Sequence, residues 1–424
     1  MKYYFLYLLT IVSACVPIQS NYTSSSYNSV NIDFTDKIYD NNIKTVQLYP
    51  TNNISDQTSP SVINILNDNL VLEFDEMVED ANTYNAKIYN CTANWKRSNV
   101  SAIEYLYEYN EFDIQEYEYS LDTDFPYVHY RFNVPKVKTS GNYLLVVYRN
   151  GNENEVILTK RFMVFENKLD IIPAQTINGL VNLSRKNQQI EFFVRYKNFP
   201  IDNPRESIKV QLRQNNRWDN LLHGIRPSFI REDVNELEYR FINNSDLFKG
   251  GNEFRFFDFR SIKYPGYRIK SIVRENNEYH VQVANDKMRA DLAYSQYRDK
   301  NGKYFIFNQD FDNSASSSNY AKVNFFLSDK KMPSNAQIYL FGSLTNYELS
   351  PQYQLKHNEN KKSYELEVLL KQGHYDYQYY YSNDSTDYNY IEGNYFETEN
   401  EYEILVYYRP FGAKTDLLIG YKVL

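Results

Sequence analysis

GNYLLVVYRN (residues 141–150) and ILTKRFMVFE (157–166) indicate the fold class of this 424-residue chain. Both are short runs rich in β-branched and aromatic residues and bounded by Asn, Gly or Glu, a pattern typical of β-strands. Apolar and polar residues alternate less in the first run than in the second, which predicts that the first run is a central strand covered on both faces. Runs of the same kind recur along the chain, for example KTVQLYP (44–50), LVLEFDE (70–76), IKVQLRQNNRW (208–218), YAKVNFFLSD (320–329) and EYEILVYYRP (401–410).

The spacing of these runs predicts an all-β protein built from tandem β-sandwich domains, immunoglobulin-like or E-set-like. Because single cores stop growing well below this length, we expect several domains. The expected division is a first sandwich at 36–166, a second β domain at 167–311 and a third sandwich at 319–424. DNSASSSN (312–319) between the last two is a linker or a long loop, and a short helix is expected near 101–108.

The N-terminus has the pattern of a secretion signal. Lys2 precedes an apolar run from Phe5 to Val12, and Ser13-Ala14 supplies the small residues before a cleavage site, so residues 1–14 are a predicted signal peptide. VSAC resembles the lipobox of bacterial lipoproteins, which makes Cys15 the expected lipidation site. The alternative is an ordinary signal peptide cut a few residues later, which would discard Cys15. Residues 15–35 have the composition of a flexible, lipid-attached tether.

Composition limits the partners. The net charge of −8 is spread along the chain, whereas nucleic-acid binding needs a concentrated basic face. The 43 tyrosines suit half-exposed sheets and interfaces. There are only two cysteines, so a lipidated Cys15 would leave Cys91 without a disulfide partner.

The sequence carries no motif of a catalytic, metal or cofactor site. The histidines fall in five separate segments, at 129, 223, 280, 357 and 374, without metal-ligand spacing. We therefore predict a non-enzymatic protein with no cofactor, although counting cannot settle whether two of the 54 acids meet as a glycosidase pair. Trp95 and Trp218 are either core residues or binding platforms.

FKGGNEFRFFDFRS (248–261) has the glycines of a ligand loop but neither the Lys-Ser/Thr nor the helix that a phosphate loop requires. We interpret Gly250-Gly251 as a turn. The apolar phase of the following strand flips between Phe256 and Phe257, so the strand is either covered on both faces or interrupted by a β-bulge. A type I′ turn, with a hairpin around it, is predicted at Asn301-Gly302.

IYLFGSLTNYELSP (338–351) and LLKQGHYDYQYYY (369–381) resemble the β-sandwich modules of glycogen- and starch-active enzymes, in which exposed aromatic rings stack on sugars. Tyr347 stands where those modules usually have tryptophan. This resemblance supports an alternative function, a glycan-binding outer-membrane lipoprotein that uses its C-terminal sandwich.

A larger ordered set of runs resembles the plug proteins of the type IX secretion system. These runs are CTANWKRS (91–98), SGNYLLVVY (140–148), LTKRFMVFE (158–166), RQNNRWDN (213–220), GGNEFRFFDFRS (250–261), DKNGKY (299–304) and LKQGHYDYQYYY (370–381). The resemblance implies a periplasmic protein at the outer membrane that binds the giant β-barrel translocon of that system and closes its periplasmic opening. It implies no active site, and it does not identify which residues contact the barrel.

Overall fold

The computed structural model describes residues 32–51, 54–66, 69–174, 186–240, 247–333, 336–382 and 389–424. These residues form several sheets that are mostly antiparallel, with only short helical turns between them. The predicted all-β architecture of tandem sandwiches is confirmed. Cys15 and the predicted signal peptide lie outside the described residues. None of the helices in the described part of the chain combines the length and apolar character that a bilayer crossing requires.

The first module is a sandwich of two sheets. Its elements are β1 Lys37–Ile38, β2 Ile43–Pro50, a 3-10 turn Ile54–Thr58, β3 Val62–Asn64, β4 Leu70–Glu76, β5 Tyr84–Cys91, α1 Ala102–Tyr105, β6 Phe112–Ile114, β7 Glu116–Tyr119, β8 Val128–Val134, β9 Gly141–Arg149 and β10 Val156–Phe165. One sheet has the order β2-β4-β8-β7 and the other β1-β10-β9-β5-β6, with β3 pairing β10. Helix α1 lies where a helix was expected.

The middle module is a second sandwich, and it takes its last two strands from the C-terminus. Its elements are β11 Asp170–Pro173, β12 Asn187–Gln188, β13 Phe192–Arg195, α2 Pro204–Ser207, β14 Ile208–Gln214, β15 Leu222–Ile225, β16 Phe229–Arg231, a 3-10 turn Glu232–Val234, β17 Glu236–Tyr239, β18 Phe248–Lys249, and then β28 Tyr402–Tyr408 and β29 Leu417–Val423. One sheet runs β11-β13-β17-β16 and the other β15-β14-β28-β29, while β12 and β18 pair separately.

The third module lies between these two parts of the middle module in sequence. Its elements are β19 Arg255–Asp258, β20 Ile269–Glu275, β21 Glu278–Val283, β22 Tyr304–Ile306, α3 Ser314–Ser317, β23 Tyr320–Ser328, β24 Gln337–Phe341, 3-10 turns Ser343–Thr345 and Pro351–Tyr353, β25 Lys356–Asn358, β26 Ser363–Lys371 and β27 Gly373–Ser382. One sheet runs β20-β21-β23-β26-β25, and the other runs β19-β27-β22 with β24 also paired to β27.

Two strand pairings cross the domain borders that were expected from the sequence. β28 pairs with β14 over the full length of β14, from Ile208↔Tyr408 to Gln214↔Tyr402, and β19 pairs with β27. The segment 312–319 contains α3, and Ser316 and Ser318 in it are buried. The division at 166/167 and 311/319 stays a prediction, and these two pairings are features that it did not include.

Four sheets of the first and middle modules are stacked in layers. In β9, Tyr143, Leu145 and Val147 face the core of the first module, whereas Leu144 and Val146 face the other way. In β28, Ile404 and Val406 belong to the core of the middle module, and Leu405 and Tyr407 meet the outward residues of β9 in a separate cluster. Because β9 is covered on both faces, it is the central strand that its weak alternation predicted.

The strand after Gly250-Gly251 is also covered on both faces. Phe257 packs in the core of the third module, whereas Phe256 stacks on Tyr267 and His374 on the opposite face. The pairing of β19 with β27 runs from Arg255↔Tyr377 to Asp258↔His374 without a register shift, so a bulge does not explain the phase flip here.

The two glycine turns behave differently. Gly251 has the positive φ expected there, +70°, while a Cβ on Gly250 would lie 2.0 Å from the carbonyl oxygen of Tyr395. Asn301 and Gly302 both have positive φ, and Lys303 N–H donates to the carbonyl of Lys300, which is the predicted type I′ turn. The hairpin around it does not form, since residues 292–300 are not a strand and β22 pairs with β27 instead.

Candidate functional site at the junction of the three modules

The runs that carry the family resemblance converge where the three modules meet. The turn that follows β14, residues 213–220, lies at the centre of this junction. Asn215 and Asn216 both adopt positive φ, which asparagine tolerates better than most residues, and Arg217 N–H donates to the carbonyl of Gln214. Because of this tight turn, Arg217 contacts the third module and Trp218 contacts the first.

Trp218 joins the middle module to the first through stacked rings and cations. Its ring meets Trp95 edge-on with centroids 4.9 Å apart. The guanidinium of Arg161 lies 4.4 Å from the ring centre and that of Arg213 lies 4.1 Å from it. Guanidinium groups over a tryptophan face are the most favourable cation–π arrangement. Both tryptophans are therefore packing residues at an interface between modules.

Each of the two arginines has its own carboxylate. Arg213 donates to Glu403 through two hydrogen bonds of 2.5 and 2.7 Å, and both side chains are buried. Burial alone would raise the pKa of Glu403, but Arg213 outweighs burial and keeps that pKa below its ordinary value. Arg161 pairs with Asp36 at 3.2 Å. Burial, and secondarily repulsion from Arg213, lowers the pKa of Arg161.

Arg217 joins the middle module to the third. Its guanidinium lies 5.0 Å from the ring centre of Phe341 and 5.3 Å from that of Tyr347, and it pairs with Asp219 at 2.6 Å. Tyr347 also packs edge-on against Phe341, and a Cβ on Gly302 would lie 2.7 Å from its hydroxyl. The Tyr347 ring is enclosed between modules and is not an exposed stacking platform.

A cleft of about 410 Å³ remains open beside this junction. All three modules line it, with Asp36 and Arg161 from the first, Trp218 from the middle, and Lys303 and Tyr304 from the third among the lining residues. Its volume lies within the range of small-molecule sites. Several of its lining groups already have partners, since Tyr304 stacks on Tyr375, Arg161 pairs with Asp36 and Lys303 pairs with Glu401.

A buried charge cluster joins the first module directly to the third. Lys371 donates to Asp75 at 2.7 Å, and Tyr320 and His129 bond the same carboxylate at 2.6 and 2.7 Å. Lys371 also lies 4.1 Å from the ring centre of Tyr127. Burial lowers the pKa of Lys371, while the same cation outweighs burial at Asp75 and lowers its pKa.

Arg255, in the stretch that had the appearance of a ligand loop, belongs to a second buried network. It pairs with Asp286 at 2.6 Å and with Glu392 at 3.0 Å, and Tyr377 and Tyr379 donate to Asp286. Burial opposes ionisation of Glu392, but Arg255 and Arg289 lower its pKa to about 2. The network is saturated by its own partners, so this stretch is a scaffold.

One carboxylate is perturbed in the opposite direction. Asp299 accepts hydrogen bonds from the backbone N–H groups of Phe254 and Asn301. Burial and repulsion from Asp376 raise its pKa to about 7. Within the described residues no three His, Cys, Asp or Glu side chains gather as a metal site.

The residues singled out from the sequence are dispersed. His129 lies in the buried cluster with Asp75, His357 pairs with Asp329, and His374 pairs with Asp376. Cys91 is a buried strand residue, and burial raises the pKa of its thiol to about 12. The junction itself was missed, because neither the spacing nor the composition of the runs shows that Arg161, Arg213 and Trp218 meet in space.

Comparison with known proteins agrees with this architecture. Residues 43–166 match the family described as Type 9 secretion system plug protein 1st domain. The crystal structure of a hypothetical protein from Parabacteroides merdae is similar over 93% of this chain and 99% of that one, with 31% identity and a TM-score of 0.86. A Pseudomonas fluorescens DNA glycosylase, 11% identical over 29% of each chain, has a TM-score of only 0.17. A comparison with curated proteins gave no match.

The fold and the junction define a class of protein, an all-β chain of packed sandwiches in which Trp95, Arg161 and Trp218 hold the first and middle modules together. Residues 43–166, the first module, belong to the type IX secretion system plug protein family. This family supports a role associated with that secretion system in the cell envelope. Fold and family together suggest a non-enzymatic protein.

Proposed function

We propose that this protein closes the periplasmic opening of the giant outer-membrane β-barrel of the type IX secretion system. A barrel wide enough for folded proteins would leak solutes when idle, so it needs a removable cover. The family match over 43–166 is the observation that carries the proposal. The protein would act by occlusion and would need no bound cofactor.

The construction of the junction suits this role. Buried charged pairs join the modules, with Asp75 of the first module bonded to Lys371 of the third and Trp218 of the middle module stacked on Arg161 of the first. Separating the modules would leave buried charges without partners, which is costly. A cover that stays rigid can span an opening without folding into it.

The location follows from the N-terminus. With Cys15 acylated, the protein would sit as a lipoprotein at the periplasmic face of the outer membrane, and residues up to 35 would serve as its tether. A Cys15→Ser variant should then move from the membrane fraction to the periplasmic fraction. Retention of that variant in the membrane fraction of cells lacking the barrel would contradict lipid anchoring.

The main test is partner recovery. Tagged protein extracted from cells in mild detergent should bring down one very large barrel protein of the secretion system, and recovery of glycan-uptake components alone would contradict the proposal. Deleting the gene should make the outer membrane permeable to large antibiotics when the translocon is idle. Unchanged permeability in the deletion strain would argue against occlusion.

The glycan-binding alternative depended on an exposed Tyr347. That ring packs against Phe341 and Arg217 between modules, and so does not provide a stacking platform. Residues 338–351 and 369–381, the two runs that suggested this alternative, have no exposed aromatic ring that could replace Tyr347. A glycan would therefore have to bind elsewhere.

A further inference from the structure

One surface of the first module exposes an unusual number of large apolar side chains. Between α1 and β8 the chain presents six of them with 48–80% of their surface exposed, namely Ile103, Tyr107, Tyr109, Tyr117, Tyr119 and Leu121. We call this surface the tyrosine face. Isolated exposed rings are common on monomers, but a group of them on one surface marks an interaction site.

The tyrosine face is also acidic. Between Arg97 and Arg131 the sequence contains eight carboxylates and neither lysine nor arginine. Neighbouring cations neutralise some of these acids, since Lys414 pairs with Glu104 and Arg274 with Asp124. Four others, Glu108, Glu111, Asp113 and Asp122, form no ion pair with any described residue. A negative field therefore remains over the exposed rings.

Both sheets of the first module end at this face. β6 is an edge strand of one sheet and β7 an edge strand of the other, and Gln115 alone connects them. All four residues of β7 are exposed. Neither edge is covered by another described strand, so the face stays accessible even though the other side of the first module is packed against the middle module.

We propose that the tyrosine face docks onto a protein surface rich in lysine and arginine, with cations seated over the tyrosine rings and paired with the carboxylates that form no ion pair within the described part of the chain. The chain already contains one such contact, because Lys138 Nζ lies 5.3 Å from the ring centre of Tyr107. Tyrosine is enriched at interface hot spots, and opposite charge speeds and orients docking. Resting on the proposed function, this inference assigns the face to the periplasmic rim of the barrel.

Charge argues for a protein partner over a lipid surface. Membranes that carry anionic lipids attract basic segments, and the carboxylates of the tyrosine face would be repelled by them. A basic protein surface gains from both parts of the face, since a guanidinium stacks on tyrosine and forms bidentate bonds with carboxylates.

The test uses the full chain and the purified barrel protein in detergent. The affinity is measured at low and at high salt for the wild type and for Glu108→Lys/Glu111→Lys, which reverses two of the exposed carboxylates that form no ion pair with a described residue. We expect wild-type affinity to fall with salt and the charge-reversed variant to bind about tenfold more weakly or worse at low salt. The Tyr107→Ser/Tyr109→Ser variant should also bind more weakly than the wild type, and this loss of affinity should depend less on the salt concentration.

Glu275→Lys/Glu359→Lys is the matched control, since it makes the same charge change at exposed positions of the third module. It should bind within about twofold of the wild type, because exposed charges away from a contact contribute little. Thermal melting confirms that each variant is folded. If the wild type binds the barrel and both tyrosine-face variants bind equally well, the tyrosine face is not the contact surface, while the proposed occlusion is not contradicted. If the wild type does not bind, both proposals fail. Preferential binding to anionic lipid nanodiscs would overturn the choice of a protein partner.

Discussion

Lys371 and Asp75 lie 296 positions apart in the sequence and form an ion pair of 2.7 Å in which each side chain is only 1% exposed. The pair connects the first module with the third. Tyr320 and His129 complete the bonding of the carboxylate, so neither charge is left without compensation. The stability of the whole chain is therefore coupled to a contact between its modules.

We expect Lys371→Met to destabilise the protein by about 3–5 kcal/mol, because it leaves the buried Asp75 without its cation. Urea unfolding followed by circular dichroism measures the effect. Lys331→Met is the control, since Lys331 pairs with Asp291 where both side chains are more than half exposed, and it should be close to neutral. Equal effects of the two variants would show that the buried pair does not couple the modules.

Trp218→Ala should destabilise the junction by an amount near the lower end of the ~3–5 kcal/mol typical of Trp→Ala changes, because the ring is only partly buried. The loss removes contacts with Trp95, Arg161 and Arg213. Limited proteolysis should then cut between the first and middle modules earlier than in the wild type. Phe411→Ala, at a fully exposed ring, serves as the reference and should leave the proteolysis pattern unchanged.

Gly250→Ala should be far more damaging than Gly251→Ala. A Cβ at Gly250 would collide with the backbone carbonyl of Tyr395, whereas a Cβ at Gly251 meets nothing within 4 Å and only suffers from φ +70°. The second change should therefore cost about 1 kcal/mol, the usual penalty for a residue forced into positive φ. Comparing the two melting temperatures tests whether this turn is limited by space or by backbone conformation.

Asp299 should give the protein a distinct pH dependence. Its folded pKa is about 7, above its unfolded value, so the folded state binds more protons between roughly pH 4 and 7. Its contribution to stability is thus present at low pH and is lost as pH rises through 7. Asp299→Asn should flatten the free energy of unfolding between about pH 4 and 7 relative to the wild type. If the unfolding free energy of Asp299→Asn has the same pH slope as that of the wild type, groups other than Asp299 cause the slope.

Cys91 provides an independent probe of unfolding. The residue is fully buried and burial raises its thiol pKa to about 12, so it should not react with a thiol reagent at pH 8 in the native protein. The rate of labelling should follow opening of the interface between the first and middle modules, where Cys91 packs. Labelling as fast as that of an unfolded peptide would contradict this packing.

The alternation of apolar residues was sufficient to predict the all-β class, the central position of β9 and the positive-φ turn at Asn301-Gly302. Each of these depends on residues close together in sequence. The pairing of β14 with β28 was not predicted, because two strands nearly 200 residues apart carry no local mark of their partner. The same holds for the candidate site, in which Arg161, Trp218 and Tyr347 come from three separate modules.

Sequence reasoning did identify the runs that form the junction, although it took them as a family signature and not as a meeting point. The clearest signal available was Lys371 in an otherwise apolar strand end, LLKQG, since a lysine there requires a buried partner. The identity of that partner depends on the packing of the first module against the third, which a single sequence does not encode locally.

The return of the C-terminal strands to the middle sandwich sets an order on maturation. The first module has all its described strands within residues 37–165 and can close its core once this part of the chain is available, whereas β14 must wait for Tyr402–Tyr408. Until then the apolar outward face of β9 is exposed to solvent, and this partly folded intermediate is prone to aggregation. A chain truncated before residue 402 should therefore keep a folded first module but leave β14 unpaired and the outward face of β9 exposed, so that incomplete copies aggregate.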